Sequence, residues 1–451
     1  MAEQITEREL VDELRTLLRA GEEDALEIFL RLVRPEDIAG WLDLLSVEER
    51  QLILAALDHE AAGTVLTDTT PAIRAELVED LDADRLARIA EAMPVDEAVD
   101  LIGELEREDS EEVLQRISDD EELVLRKLLR YPEDTAGGIM TPEVVALTAD
   151  ATVDDAIAYL RSADPDTVTA ALYVVDDGRH LLGVVRLRRL VTSRPRARLG
   201  DIMHPDVISV PIDADQEEVA DIVDKYDFMA VPVVDRDGRL MGAVTVDDVL
   251  DVIAEEATED IYRLAGSSAE EEDSASIFHV ARYRLPWLLI CLAGTQLSTF
   301  VLQVAKVEIN FYEQMSVFTA AIMAMSGNTS LQSSTTTVRR LALDTLPRGR
   351  FLRHIGREIM VAFLMGLVCG SLAASLAVLF HHPPLIGLAL GIAMAIGMSA
   401  ASLLGSTMPL VLNLVGIDPA VASGPLVSTI NDSLALTVYF SIATTILILL
   451  A

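Results

Sequence analysis

The chain has 451 residues, of which 51% are hydrophobic, and its mean hydropathy of +0.34 is too high for an ordinary soluble protein. From Tyr283 onward it has 8 Lys and Arg against 6 Asp and Glu, so the preceding part has 27 against 68 and a net charge of −41. Such acidity excludes nucleic acid as a partner and favours divalent cations, although halophilic or solubilising acidity would give the same composition.

Cysteines and the N-terminus carry little further signal. Cys291 and Cys369 lie in apolar segments and predict neither a disulfide framework nor a zinc cluster. The first residues lack a basic stretch followed by an apolar one. We therefore expect no cleaved signal peptide and an N-terminal part that stays where it is made.

Residues 1–135 form an acidic region in which apolar residues recur at helical spacing. Helix starts are indicated at Pro35, Ser46 and Ser118, each of which is followed by acidic residues. The helices are short and recur at irregular intervals, which predicts an α-helical superhelix rather than a compact bundle.

Residues 136–252 alternate β-branched runs with helical windows, and this α/β pattern occurs twice. The repeated segments are Met140-Thr141-Pro142 and Met203-His204-Pro205, Val174-Val175-Asp176 and Val233-Val234-Asp235, and Gly183-Val184-Val185 and Gly242-Ala243-Val244. The repeat resembles a tandem pair of CBS domains. Many such pairs bind adenine nucleotides through a Thr or Ser and an Asp three residues later. This resemblance implies an ATP site at Thr245 and Asp248 of the second copy, whereas the first copy has Arg186 and Arg189 there.

Residues 253–282 are predicted to be an acidic connecting helix and linker. Along this helix and its start, Asp248, Asp251 and Glu259 are spaced so that their carboxylates share one face. A charge run is most often a solvated face. Oxygen ligands one turn apart would also suit a hydrated divalent cation if another domain completed the set. Residues 267–274 are predicted to be a flexible joint.

Residues 283–451 are predicted to be an all-α transmembrane pore domain with five helices. The spans are expected at about 284–304, 316–341, 354–380, 385–414 and 424–450. Arginines flank the first span and crowd the link between the second and third. Because basic residues stay on the cytoplasmic side, this predicts a cytoplasmic N-terminus and an external C-terminus.

Two polar features interrupt the apolar spans. Asp432 lies near the middle of the last span, where an acid costs several kcal/mol unless it faces water, a cation or a partner. It therefore indicates an ion or proton path, although neighbouring hydroxyls inside the helix bundle could also satisfy it. The second span contains a run of hydroxyl and amide residues, 326–337, which either joins helices or lines water.

From end to end, this order of domains resembles the MgtE family of magnesium channels or transporters. Local matches are Ala136-Gly137-Gly138-Ile139-Met140-Thr141-Pro142, Thr245-Val246-Asp247-Asp248-Val249-Leu250-Asp251 and Gly416-Ile417-Asp418-Pro419-Ala420. In the second span the family has Gly-Gly-Asn-x-Gly-x-Gln. This chain retains Asn328 and Gln332 of that motif but has Ser326 and Ser330 where the family has glycine.

The resemblance implies a Mg2+-selective channel or transporter in the plasma membrane, closed by cytoplasmic Mg2+, and not an enzyme. It implies pore metal ligation by Asp432, Asn328 and Asp418. The pore-lining candidates are Thr329, Gln332, Ser428 and Asn431. Regulatory Mg2+ is implied at Asp96, Asp100, Glu217, Asp227, Asp248, Asp251 and Glu259. Expected partners are membrane lipid and a second copy of the chain, because five helices alone enclose little and a twofold pair would bring two Asp432 side chains together.

Two other functions are compatible with the residues. A proton-coupled carrier of Mg2+ or Co2+ would use Asp432 as a proton site. A membrane-anchored CBS nucleotide sensor would need neither Asp432 nor a polar second span. An enzyme is least favoured, since the sequence has no P-loop and its seven His residues are scattered.

Overall fold

The computed structural model describes residues 7–162, 168–265, 267, 277–308, 312–342, 346–419 and 424–450. It divides into two compact units, Met1–Glu255 and Glu256–Ala451. The first contains a helical region followed by two α/β modules, and the second contains long helices, as the sequence predicts.

Ten short helices form the first part of unit one. They are α1 (Glu7–Ala20), α2 (Glu23–Leu30), α3 (Pro35–Leu42), α4 (Val47–Ala56), α5 (His59–Asp68), α6 (Pro71–Glu79), α7 (Ala83–Ala90), α8 (Val95–Gly103), α9 (Arg107–Leu114) and α10 (Asp119–Leu128). Several pack on the next helix but one, for example α3 on α5, α5 on α7 and α7 on α9. This arrangement is that of a superhelix, whose core includes Ile38, Trp41, Leu66 and Ile89.

Two of the three predicted helix starts have the expected chemistry. Pro35 is the first residue of α3, and Ser46 forms a reciprocal capping box with Glu49 at the start of α4. Ser118 differs, because its hydroxyl donates to the Glu121 carboxylate at 2.9 Å and caps no backbone N–H of α10. The first turn of α10 instead carries four acids, which suit the positive end of the helix dipole.

The two α/β modules have the same topology. The first contains β1 (Val144–Thr148), α11 (Val153–Ser162), β2 (Val168–Val175), β3 (Leu181–Arg186) and α12 (Leu187–Thr192). The second contains α13 (Leu199–Ile202), β4 (Val210–Pro211), α14 (Gln216–Tyr226), β5 (Ala230–Val234), β6 (Leu240–Thr245) and the start of α15 (Val246–Ala265). In each sheet the middle strand pairs parallel with the first strand and antiparallel with the last.

The two copies exchange backbone contacts. Thr141, in the first copy, pairs with Ala243 of β6, and His204, in the second, pairs with Val184 of β3. A Cβ on Gly242 would lie 2.4 Å from the carbonyl oxygen of Thr141, so glycine is required at that position. The exchange explains why the Met-x-Pro segment and the Gly-containing strand occur together in each repeat.

α15 continues from the second module into unit two. The predicted boundary at residue 252 therefore falls inside one continuous helix, and the compact units divide at Glu255. Of the predicted joint at 267–274, only Ser267 lies within the described residues.

Among its described residues after α15, unit two contains five long helices. They are α16 (Ile277–Glu308), α18 (Thr319–Ala342), α19 (Phe351–Leu379), α20 (Pro384–Val415) and α21 (Pro425–Leu450), with a short α17 (Tyr312–Ser316) before α18. α20 packs against α18, α19 and α21, and α21 also packs against α16 and α18. Small residues allow this close packing: Gly370 faces the backbone of Gly391, and Gly405 faces the backbone of Ser330.

The five helices coincide with the five predicted spans to within a few residues, except that α16 extends further at both ends. Within the described residues, three stretches are long and apolar enough to cross a membrane: Val280–Lys306, Phe351–Leu379 and Pro384–Val415. The count of five spans stays a prediction.

Candidate cation sites

Carboxylates of α8 and of the start of α15 form an acidic cluster in unit one. Burial raises the pKa of Asp96 to about 6. Burial and then repulsion from Asp96 raise the pKa of Asp100 to about 7, although that residue remains solvent-exposed. Burial also raises the pKa of Asp248 to about 6, with repulsion from Asp96 adding to it and a hydrogen bond from Thr245 opposing it. The cluster therefore holds more negative charge than its surroundings stabilise.

One carboxylate oxygen of this cluster lacks a hydrogen-bond donor among the described residues. Oδ1 of Asp96 is buried and has no hydrogen-bond partner in the described structure. A buried carboxylate oxygen without a donor is costly, and a cation would satisfy it. The donor set is all carboxylate, which suits a hard divalent ion such as Mg2+. No three His, Cys, Asp or Glu side chains among the described residues form a ready ligand cage, so a hydrated ion fits better than a fully coordinated one.

The predicted nucleotide pair is brought together. Asp248 Oδ2 accepts hydrogen bonds from the Thr245 hydroxyl at 2.5 Å and from the Thr245 backbone N–H at 3.3 Å. The same carboxylate faces Asp96 electrostatically. The two roles predicted for Asp248, in binding nucleotide and in binding a regulatory cation, therefore use one side chain.

Glu217 and Asp227 are not brought together in one chain. Glu217 lies in the first turn of α14, and Asp227 ends that helix in the left-handed conformation, with φ of 52°. Ten residues of helix separate them by about 15 Å, at roughly 1.5 Å per residue. Both residues are solvent-exposed, and they cannot ligate the same ion within one chain.

Glu259 belongs to a second acidic group, in unit two. Arg263 forms ion pairs with both Glu259 and Asp418, which follows the C-terminal cap of α20 at Gly416. Burial and then repulsion from Asp418 raise the pKa of neighbouring Asp260. The Arg263 guanidinium thus already pairs with Asp418. The assignment of Asp418 as a ligand of the pore metal stays a prediction.

Asp432 is the eighth of the 26 residues of α21, so it lies about a third of the way along the helix rather than near the middle of the span as predicted, and it is half-buried. The next residue, Ser433, shares a hydrogen bond of 2.9 Å with Ser298 of α16. The preceding residue, Asn431, is fully buried within the chain, and neither polar atom of its side chain has a partner in the described structure. Ser428, one turn earlier, is exposed. The predicted lining residues of this helix therefore point in different directions.

The amide residues of α18 border a groove of about 480 Å3. Its described lining comes from α18, α19 and α20, and Asp432 of α21 is not part of it. Asn328 and Gln332 are exposed there, whereas Thr329 is buried and donates to the Met325 carbonyl oxygen at 2.8 Å. The structure thus brings Asn328 next to Gln332 but does not join them to Asp432 within one chain.

Known proteins match the chain over almost all of its length. Family models match as "MgtE intracellular N domain" over residues 33–134, as "CBS domain" over 136–195 and 199–255, and as "Divalent cation transporter" (MgtE) over 319–442. Magnesium transporter MgtE of Thermus thermophilus is 35% identical over 444 residues, which cover 97% of this chain and 98% of that protein. The chain belongs to the MgtE family.

Other relatives agree with this assignment. MgtE of Bacillus subtilis is 29% identical and covers 98% of this chain and 99% of its own length. A crystal structure of the cytosolic domain of the Mg2+ channel MgtE in complex with ATP is 39% identical, with a TM-score of 0.52, over 54% of this chain and 99% of that one. The soluble part of a magnesium transporter gives 31% identity and a TM-score of 0.51.

Within this MgtE-family chain, sequence reasoning missed several residues that the structure connects to the acidic groups. Arg263 is the one basic residue of α15, a signal that could have been noticed. Glu97 was also missed: burial raises its pKa, and repulsion from Asp68 and Asp248 adds to the effect. Nothing in the sequence pattern distinguishes Glu97 from the solvated acids of the N-terminal region.

Proposed function

We propose that this chain transports Mg2+ across the cell membrane, with its N-terminal unit in the cytoplasm. The observation that carries the proposal is the half-buried carboxylate of Asp432 in an apolar helix, in a chain similar from end to end to proteins named magnesium transporter. An acid at that position is expensive unless water or a cation faces it.

The proposed path is shared by two chains. Mg2+ gives up its waters reluctantly, so a path can hold the hydrated ion between few carboxylates and amides. One Asp432 per chain supplies half of such a site, and a twofold homodimer would supply the other half. Exposed amides at Asn328 and Gln332 support a water-lined role, because an amide that faces lipid is unfavourable.

Ion flux into liposomes tests the transport role. We expect Asp432→Asn to abolish most Mg2+ uptake, whereas Glu313→Gln, which removes an exposed acid of the same unit, leaves uptake intact. Unchanged uptake by Asp432→Asn would refute the pore role. Uptake of Mn2+, Co2+ and Ni2+ in the same assay defines selectivity, and uptake driven by a pH gradient alone would favour the proton-coupled carrier.

We also propose that cytoplasmic Mg2+ closes this path by binding the acidic cluster of unit one. The unpartnered Asp96 oxygen and the raised pKa values of Asp96, Asp100 and Asp248 support this, because burial and then repulsion between acids disfavour the charged carboxylates. Several sites of about 1 kcal/mol each could together shift the equilibrium between open and closed forms. Asp251, one turn after Asp248, adds charge to the same face.

The gating proposal is tested on the double variant Asp248→Asn and Asp251→Asn. Its transport should be poorly inhibited by Mg2+ on the cytoplasmic side, because the charge that a bound ion would neutralise is gone. Inhibition at the wild-type Mg2+ concentration would count against it.

For nucleotide, we propose ATP binding at the second CBS copy. The Thr245–Asp248 hydrogen bond and the ATP bound to the similar cytosolic domain support this site. Calorimetric titration of the full chain with ATP should show binding that Thr245→Val weakens and Arg189→Ala, in the other copy, does not.

A further inference from the structure

The middle of α18 has no apolar face that would set its rotation, although Ile322 and Val338 near its two ends are buried. From Ser326 to Thr337 its residues are mostly hydroxyls and amides on every side, so burial of a hydrophobic stripe cannot choose one orientation. The structure nevertheless shows one defined orientation of α18. Six side chains are at most 4% exposed: Ser326, Thr329, Ser330, Ser333, Ser334 and Thr337. Asn328 and Gln332 face outward to the groove.

Hydrogen bonds from Ser333 and Thr337 to neighbouring helices favour this orientation, whereas the buried hydroxyls of Ser330 and Ser334 have no partner in the described structure. Ser333 shares a hydrogen bond of 2.7 Å with Ser402 of α20. One turn later, the Thr337 hydroxyl donates to the Ser333 carbonyl oxygen at 2.8 Å and lies 2.9 Å from Nε2 of His354 on α19. α18 is thereby attached on one side to two different helices.

The hydrogen-bond pattern also assigns the form of His354. The Thr337 hydroxyl has a single proton, which it donates to Ser333, so its oxygen accepts from an Nε2–H of the imidazole. Nδ1 is then unprotonated, and it has no partner in the described structure. Protonation would place an unpaired N–H donor in a site where His354 is 3% exposed.

Charged side chains of both signs lie around His354. Arg340 faces it from α18 and Arg357 faces it from α19, against one acid, Glu358 of α19. The third helix, α20, has no acidic, basic or histidine residue. The neutral imidazole is assigned from the hydrogen bond of Nε2 with Thr337 and the unpartnered Nδ1, and not from these charges.

We propose that His354 is a positioning residue: as a neutral imidazole bound to Thr337, it holds α18 in the rotation that turns Asn328 and Gln332 toward the groove. Because a helix turns by about 100° per residue, a modest rotation would replace these amides by neighbouring hydroxyls. The expected effect of this rotation on Mg2+ flux rests on the proposed function. The inference that His354 holds the rotation does not depend on that function.

Thiol labelling of the full chain in detergent tests the rotation. The background carries Cys291→Ser and Cys369→Ser, and a single reporter is introduced as Asn328→Cys on the exposed side or Ser330→Cys on the buried side. With His354 present, N-ethylmaleimide should react much faster at position 328 than at 330. In His354→Leu this ratio should fall several-fold, because the donor to Thr337 is lost. In His354→Gln it should be largely kept, because the amide can still donate.

Two results would overturn the proposal. The first is an unchanged ratio in His354→Leu, including a rise of both rates by the same factor, which means loosening without rotation. The second is loss of the ratio in His354→Gln as in His354→Leu. If His354→Leu does not fold, Thr337→Val removes the same hydrogen bond from the other side and should lower the ratio equally. Mg2+ flux is measured in the same variants without reporters. A changed labelling ratio with unchanged flux would contradict the proposed role of the groove and leave the rotation itself supported.

Discussion

Asp96 illustrates how a single carboxylate can couple folding to a cation. One of its oxygens is buried without a partner, and burial raises its pKa to about 6. The folded form therefore carries an unfavourable charge at neutral pH, which a proton or a bound cation would relieve. Asp109 of α9 is an acid of the same region whose side chain is exposed to solvent.

Replacement of Asp96 by Asn should separate these effects. We expect the Mg2+-free protein to gain stability by about 1–3 kcal/mol, because the substitution removes the unsatisfied charge of a carboxyl whose pKa burial raises to about 6. The further gain on adding Mg2+ should shrink. Thermal unfolding of the full chain with and without Mg2+ measures both quantities. Asp109→Asn makes the same change of net charge at an exposed site and should alter neither; an equal response of the two variants would contradict the role of Asp96.

At the scale of elements, the small residues of α20 determine how closely its neighbours approach. A Cβ on Gly405 would lie 2.2 Å from the carbonyl oxygen of Ser330, which is backbone and cannot move aside alone. A Cβ on Gly397, two turns earlier in the same helix, would meet only the Ser326 hydroxyl at 3.7 Å. The two glycines therefore differ in whether contact between helices requires them.

Alanine substitutions at these two positions form a matched pair. Gly405→Ala should destabilise the protein by about 1–3 kcal/mol, because α18 and α20 must separate. Gly397→Ala should be neutral or stabilising by up to about 1 kcal/mol, because alanine is the better helix former. Thermal unfolding in detergent distinguishes them. Similar losses in both variants would show that the α18–α20 contact is less close than the structure indicates.

The end of α15 gives a second prediction for an element. Arg263 neutralises Glu259 and Asp418, and it is about one-third exposed, so Arg263→Gln should cost no more than about 1 kcal/mol. It should leave those acids and Asp260 without their counter-charge and so lower the Mg2+ concentration needed for half-maximal stabilisation. A Mg2+ titration of thermal stability tests this, with Arg282→Gln on α16 as the control. An unchanged titration midpoint would mean that Arg263 and Mg2+ do not compete for these acids.

For the whole molecule, periodicity and repeats predicted most of the architecture and few of the contacts. The short helices, the duplicated α/β module and the five long helices follow from local patterns of apolar and turn residues. The pairs Arg263–Asp418 and Thr337–His354 do not, because local patterns report burial and not the partner that a distant segment supplies. The sequence motif predicted both a nucleotide role and a cation role for Asp248, but the burial and the nearby Asp96 that raise its pKa became visible only in the fold.

The acidic cluster also predicts how the stability of the whole molecule depends on pH. Asp96, Asp100 and Asp248 have folded pKa values of about 6 to 7, above the ordinary value of 3.8. Between these values the folded state binds protons that the unfolded state does not, so in Mg2+-free buffer stability should rise as pH falls from about 8 to about 5. Mg2+ and protons relieve the same repulsion, so the stabilisation by Mg2+ should be larger at pH 8 than at pH 5.5.

Thermal unfolding of the full chain across this pH range, with and without Mg2+, measures both trends. The triple variant Asp96→Asn, Asp100→Asn and Asp248→Asn is the control, and it should lose most of the pH slope together with most of the Mg2+ effect. Carboxylates with lowered pKa values, such as Asp176 and Asp235, titrate below this window and contribute no slope there. If the triple variant kept the wild-type pH slope while losing its response to Mg2+, protons and Mg2+ would act at different groups, and the coupling inferred from the unsatisfied carboxylates would be wrong.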